Sequence, residues 1–270
     1  MKRLAIAWIC SLLLVMSAAG VASAVTDGEL DGDAHPHVVL LLMEVGGEPM
    51  YRCSATLLSP TVVLTAGHCT SNYPDEPFSG MRVFTESDVD NGNNNYPYKG
   101  KNSVEAQSWY AHPLYEAAPF YVHDIGVVIL KKPIRMDTYG ELPEANQLDE
   151  LASQVTNPDI TFTSVGYGAQ KSFPDAASWK DQADRVRMLA HPKLIQINTG
   201  FTGDFSLLLS NNTATGGTCY GDSGGPNFLY DTNIIAGVTS YGLNWACGGT
   251  GGVFRMDRED VLDFVTPFLE

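Results

Sequence analysis

Gly221-Asp222-Ser223-Gly224-Gly225-Pro226 is the stretch on which the reading of this chain turns. A serine set between glycines presents its hydroxyl without steric cover, because glycine reaches backbone conformations closed to other residues. Alone, the stretch is either a glycine-rich turn or the seat of a nucleophile, and a nucleophilic serine needs a base. In the G-x-S-x-G elbow of α/β-hydrolases the histidine follows the serine. The histidines here stand at 35, 37, 68, 112, 123 and 191, all ahead of Ser223. The elbow reading therefore fails for want of a base, and the order that remains is His, Asp, Ser.

Two upstream segments supply that order. Leu64-Thr65-Ala66-Gly67-His68-Cys69 ends an apolar strand in a histidine, beside a cysteine that can staple it. By itself His68 reads as a buried structural histidine. His123-Asp124-Ile125-Gly126-Val127-Val128-Ile129-Leu130 opens a continuous apolar strand with a carboxylate. A carboxylate there is poorly solvated and needs a hydrogen-bond partner. By itself Asp124 reads as a strand-end cap.

Outward from these motifs the chain is a series of short apolar runs at 38–45, 51–58, 62–65, 81–85, 104–109 and 125–130. A polar stretch, 137–158, separates them from a second series at 160–165, 185–189, 207–209, 234–241 and 252–256. With 26 Gly and 15 Pro as punctuation, this spacing predicts sandwiches or barrels. One helix is expected at the end, capped by Asp257, with Val261, Leu262, Phe264, Val265, Phe268 and Leu269 on its apolar face.

Thr65-Ala66-Gly67-His68-Cys69, His123-Asp124-Ile125 and Gly221-Asp222-Ser223-Gly224-Gly225-Pro226 together resemble the three signature segments of the trypsin/chymotrypsin family of serine proteases, in the family's order. The resemblance implies an all-β fold of two antiparallel six-stranded β-barrels with a C-terminal helix and an active site between them. It implies Ser223 as nucleophile, His68 as general base and Asp124 as its orienting carboxylate, with the N–H groups of Gly221 and Ser223 as oxyanion hole. Thr239-Ser240-Tyr241-Gly242 resembles the strand that pairs with substrate, where Ser240 would support Asp124. Tyr241 stands where relatives usually carry Trp.

By the same resemblance, the primary specificity residue lies six positions before the nucleophile, at Gly217, followed by Thr218, with Gly242 and Gly252 as pocket walls. Gly217 supplies no charge, so the expected slot suits large apolar side chains rather than Arg or Lys. The family's activating step pairs a new apolar N-terminus with the Asp before the nucleophile, here Asp222. Val25-Thr26-Asp27-Gly28 resembles that start with two of four residues different.

Composition bounds the remaining possibilities. The 270 residues carry 16 Lys and Arg against 31 Asp and Glu, a net charge of −15, which repels nucleic acid and anionic membranes. Met1-Lys2-Arg3, an apolar run from Leu4 to Met16 and Ala22-Ser23-Ala24 make a signal peptide over 1–24, with the halves expected over 25–137 and 138–270. Cleavage leaves 14 basic residues against the same 31 acidic ones, a charge of −17, and removes Cys10. The remaining Cys53, Cys69, Cys219 and Cys247 read as two disulfides in an exported chain. Of three possible pairings, the local ones, Cys53–Cys69 and Cys219–Cys247, fit two separate halves.

The expected protein is a secreted, extracellular monomer acting on protein or peptide substrates, with no metal or cofactor and no membrane contact after signal cleavage. Asp88, Asp90 and Asn91 form an acidic loop whose alternative reading is a cation site. Asn211-Asn212-Thr213 is a glycosylation sequon. The rival from another class is a catalytically silent secreted binding protein on the same fold.

Overall fold

The computed structural model describes residues 25–71, 77–119, 121–171 and 183–270. The expected leader, 1–24 with Cys10, lies outside the described residues. A two-residue strand, β1 (Glu29–Leu30), comes first. Six strands follow: β2 (Val38–Val45), β3 (Glu48–Leu57), β4 (Val62–Thr65), β5 (Phe78–Phe84), β6 (Ser103–Ala111) and β7 (Gly126–Leu130). They close into an antiparallel barrel in the order β2-β3-β4-β7-β6-β5. The β2–β3 turn is Gly46-Gly47, both at positive φ, and at the β3–β4 turn the Ser59 hydroxyl accepts the Val62 N–H at 3.2 Å.

β2, β4 and β7 read as apolar runs because both of their faces are covered. In β2, Val39, Leu41 and Met43 pack with Ala55, Leu57 and Val63 in one core. Val38, Leu40 and Leu42 pack in another, which also holds Val165, Phe228, Val238 and Phe254 of the second half. The two halves therefore share a core, and burying these side chains fixes the cleft between them.

The second half contains β8 (Phe162–Gly166), β9 (Met188–Ala190), β10 (Leu194–Ile197), β11 (Ser206–Asn211), β12 (Pro226–Leu229), β13 (Ile235–Gly242) and β14 (Gly249–Arg255). With β1 they form one antiparallel eight-stranded sheet, β1-β9-β8-β12-β13-β14-β11-β10. This curled half-barrel sheet takes the place of the second barrel in the all-β architecture expected from the sequence. β1 comes from the amino-terminal segment and adds itself to the β9 edge, leaving β10 at the far end. β1, β10 and β12 are not among the runs expected from the sequence. The disulfides are Cys53–Cys69 and Cys219–Cys247, one in each half.

The C-terminal helix α1 spans Glu259–Val265 and runs on as a 3₁₀ turn over Thr266–Phe268. Its N-cap is Arg258, not Asp257 as the sequence led us to expect. Arg255 is fully buried and needs a counter-charge, and Asp257 supplies it with contacts of 2.9 and 2.8 Å. Among the described residues no helix is long and apolar enough to cross a membrane.

Candidate active site

β4 delivers His68 to the cleft on a 3₁₀ turn, Gly67–Cys69, stapled through Cys69 to Cys53 in β3. Asp124 precedes β7, the neighbour of β4 in the barrel, and is fully buried. The two meet across this pairing. The His68 backbone N–H donates to Asp124 Oδ1 at 2.8 Å, and Nδ1 lies 2.9 Å from Oδ2 and 3.1 Å from Oδ1. The Ser240 hydroxyl donates to Asp124 Oδ2 at 2.5 Å. Ser240 reaches it because the β13–β14 register shifts between Thr239 and Tyr241, and such a bulge re-aims a side chain. Burial by itself would depress the His68 pKa, but the charge of Asp124 and its hydrogen bond outweigh this and raise it above the ordinary value.

Ser223 lies on the opposite wall, in the loop before β12. Gly221 and Gly224 flank it at φ of 96° and 77°. A side chain at Gly224 would meet Thr65 Oγ1 at 2.0 Å and the Ala66 nitrogen at 2.7 Å, so glycine is what lets this loop lie against the first barrel. Ser54 ties the loop down. Its N–H donates to Ser223 O at 2.8 Å, and its hydroxyl donates to Gly221 O at 3.0 Å. Nothing in the sequence marked Ser54, because its role depends on a partner far along the chain. Among the described residues nothing accepts the N–H of Gly221 or of Ser223.

His68, Gly221 and Ser223 line one cavity of about 290 Å³, together with Met43, Tyr51 and Phe78. Among the described residues the His68 ring and the Ser223 hydroxyl are not hydrogen-bonded to each other. Such contacts often tighten only around substrate. Cys53 and Cys69 stand beside His68, but their sulfurs are joined in a disulfide and offer no thiolate to a metal.

A second cavity, about 600 Å³, opens on the other side of Ser223, and among the described residues no charged side chain lines it. Thr218, Ser240, Tyr241 and Gly242 line it, joined by Leu243, Trp245, Thr250 and the Cys219–Cys247 bridge. Gly217 and Gly252 are not in that lining. Gly217 bonds instead to the amino-terminal segment, its N–H donating to Thr26 O at 3.0 Å. Gly252 lies under the Tyr241 ring, where an added Cβ would meet the ring at 2.4 Å. The Tyr241 hydroxyl lies 3.2 Å from Ser206 Oγ, and its ring is 5.5 Å from that of Tyr121.

Asp222, the residue before the serine, is fully buried. Its carboxylate accepts the N–H groups of Gly168 at 2.8 Å and Cys219 at 2.9 Å. Burial pushes its pKa up to about 7, against these two bonds. Val25 is also fully buried, packed with Met188 and Ala190. Met188 pairs with Gly166, and Gly166 abuts the Asp222 carboxylate.

Two other features differ from the sequence reading. Asn211, acceptor of the sequon, is 2% exposed with both ends of its amide bonded, so the folded chain does not present it for glycosylation. In the acidic loop, Asp88 accepts the N–H and side-chain amide of Asn91, and Asp90 accepts the Arg185 N–H at 2.9 Å. Those carboxylates organise the loop and dock it on the second half.

The comparisons agree with this architecture. The Trypsin family model matches residues 29–258. The chain is 23% identical to glandular kallikrein-10 of Rattus norvegicus over 265 residues, covering 87% of this chain and 88% of that one. It is 28% identical to the trypsin of Saccharopolyspora erythraea over 231 residues, with coverages of 82% and 87%. Among solved structures, HL collagenase superposes with a TM-score of 0.69 at 17% identity, covering 91% of this chain and 98% of the other. A scabies mite inactivated protease paralogue does so at 0.65 and 19%, with coverages of 91% and 97%. With a fold, a spacing of motifs and a family match that coincide over most of its length, this chain belongs to the trypsin family of serine proteases.

Proposed function

We propose that the protein is an exported serine endopeptidase that cleaves peptide bonds after large apolar residues. The observation that carries this reading is the buried Asp124 gripping His68 at 2.9 Å, in the cleft that Ser223 lines from the other side. In the reaction Ser223 Oγ attacks the scissile carbonyl carbon while His68 Nε2 takes the hydroxyl proton. The tetrahedral oxyanion lies against the N–H groups of Gly221 and Ser223, a pair of donors typically worth several kcal/mol of barrier. The C–N bond then breaks, and His68 gives its proton to the leaving amine. Water, activated by the same imidazole, hydrolyses the acyl-enzyme. Asp124, held by Ser240, keeps the Nδ1–H tautomer and stabilises the imidazolium.

The lining of the larger cavity, uncharged among the described residues, supports an apolar primary residue, since a bound Arg or Lys would find no counter-charge in it. We read 25–137 and 138–270 as the working halves and 1–24 as a leader. Cleavage after Ala24 would by itself free Val25, whose ammonium would pair with Asp222. Two features support this. Asp222 is a buried acid whose oxygens, among the described residues, are bonded only by backbone N–H groups. Val25, a β-branched residue, sits at φ 63° in the uncut chain, and cleavage abolishes the dihedral that holds it there. The disulfides fit an extracellular location.

A peptide-library cleavage profile of the purified protein, run beside Ser223→Ala, tests the reading. Cuts after Phe, Leu, Tyr or Met that vanish in the variant are expected. Preferred cutting after Arg or Lys would refute the pocket, and an unchanged profile in Ser223→Ala would refute the nucleophile.

A further inference from the structure

The position expected to floor the primary pocket has no side chain, and the room such a side chain would take is already filled. A Cβ on Gly217 would lie 2.3 Å from Asn211 Cγ. Asn211 ends β11 and is 2% exposed. Its Oδ1 accepts a 2.7 Å bond from Thr26 Oγ1, and its Nδ2 donates a 2.7 Å bond to Thr218 O. Thr26 is itself fully buried. Its Oγ1 also lies 3.1 Å from Gly217 O, and its carbonyl accepts the Gly217 N–H at 3.0 Å. Thr218, at the end of this circuit, lines the cavity.

The chemistry of the circuit selects an amide at 211. The side chain must accept from a hydroxyl on one side and donate to a carbonyl on the other. A carboxylate would set an oxygen against Thr218 O, and an aliphatic residue would leave both partners unbonded in a buried place.

We propose that Asn211 is a specificity-positioning residue, which with Thr26 holds Thr218, an uncharged part of the primary pocket's lining, and makes substrate affinity depend on the seating of Val25–Gly28. The inference rests on the endopeptidase reading above and deepens it. The amino-terminal segment then has two separate outputs. One runs through Asp222 to the loop that carries the nucleophile and governs turnover. The other runs through Thr26 and Asn211 to Thr218 and governs affinity for the primary side chain.

Thr26→Val, Thr26→Ser and Asn211→Ala are compared with wild type, all produced from the full chain. kcat and KM for a Phe-ended peptide amide are read per active site titrated with a sulfonyl fluoride, alongside the melting temperature. Thr26→Val and Asn211→Ala are expected to raise KM about tenfold, the scale of one lost buried hydrogen bond, with kcat per titrated site little changed. Thr26→Ser keeps the donor and restores most of the affinity. Thr26→Val keeps the shape, so it carries the test should Asn211→Ala fail to fold. A lower melting temperature with wild-type KM in Thr26→Val makes the circuit merely structural and overturns the inference. A wild type that is folded but not titrated overturns the endopeptidase reading instead, and the inference with it.

Discussion

Around His68 and Asp124 the first half is aliphatic: Val63, Leu64, Val127 and Val128 are buried, on neighbouring strands of a closed barrel. Around Ser223 the second half is an open sheet that adds buried polar side chains to an apolar core of Phe162, Leu207, Leu209 and Val253. Arg187 joins Asp31 at 2.7 Å, the Tyr167 hydroxyl at 3.1 Å and the carbonyls of Val38 and Gly32. Arg255 joins Asp257, and Asn227 joins Ser164 and, at 3.1 Å, Thr239. An apolar barrel is indifferent to detail and makes a stiff seat for an acid–base pair. A polar network works only when every partner is in place, which suits a half whose nucleophile loop and pocket are to be ordered by an incoming terminus.

That contrast can be broken or sharpened by measurement. The largest effect is expected at the base: His68→Ala should lower kcat by about 10⁴ to 10⁶ while the variant stays folded, as seen by circular dichroism. Next, Arg187→Met should lose about 3–5 kcal/mol of stability in urea unfolding, because it leaves the buried Asp31 with His35 as its remaining partner and frees the carbonyls of Val38 and Gly32. A loss below 1 kcal/mol would mean the polar network does not hold the second half. At the bottom of the scale, Lys131→Ala removes an exposed 3.3 Å pair with Glu105 on the first barrel and should change stability by no more than about 0.5 kcal/mol.

Two predictions concern pH. The buried ring nitrogens of His37 have no hydrogen-bond partner among the described residues. Burial, with the nearby charges of His35 and Arg187 and against that of Asp31, pulls its pKa from 6.5 to about 4. The unfolded chain therefore takes the proton first. The stability His37 contributes is complete above pH 6.5 and is lost as pH falls from there towards 4. Melting temperatures over that window should decline less in His37→Phe than in wild type, and parallel curves would exclude the effect. For activity, Asp124 raises the His68 pKa, so the acid limb of kcat/KM should lie above 6.5 and move down in Asp124→Asn.

The sequence was most legible where the first half is simplest. The runs at 38–45 and 62–65 coincide with β2 and β4, because strands buried on both faces are written as unbroken aliphatics. The Cys pairs were equally readable, since the local pairing is the one observed, and short local motifs marked His68 and Asp124, which the fold brings together. β10 and β12 were missed because Leu194-Ile195-Gln196-Ile197 and Pro226-Asn227-Phe228-Leu229 are too short to show a period and, unlike β4, are interrupted by a polar residue. Ser54, Asn211 and Arg187 were invisible for another reason: each acts through partners more than a hundred residues away or on another strand, and nothing local distinguishes such a residue from an ordinary polar one. Asp257 misled because its carboxylate is taken up by Arg255 two residues back and by the distant Leu148 N–H, not by the start of the helix.

The central claim is that an imidazole poised by Asp124 makes the Ser223 hydroxyl a nucleophile. The direct test is sulfonyl fluoride labelling of the folded protein, followed by mass mapping of the modified peptide. The account predicts one label per molecule on Ser223, forming faster as pH rises past the His68 titration and absent from His68→Ala. Folded protein that stays unlabelled at pH 8, or a label that maps elsewhere, would contradict it.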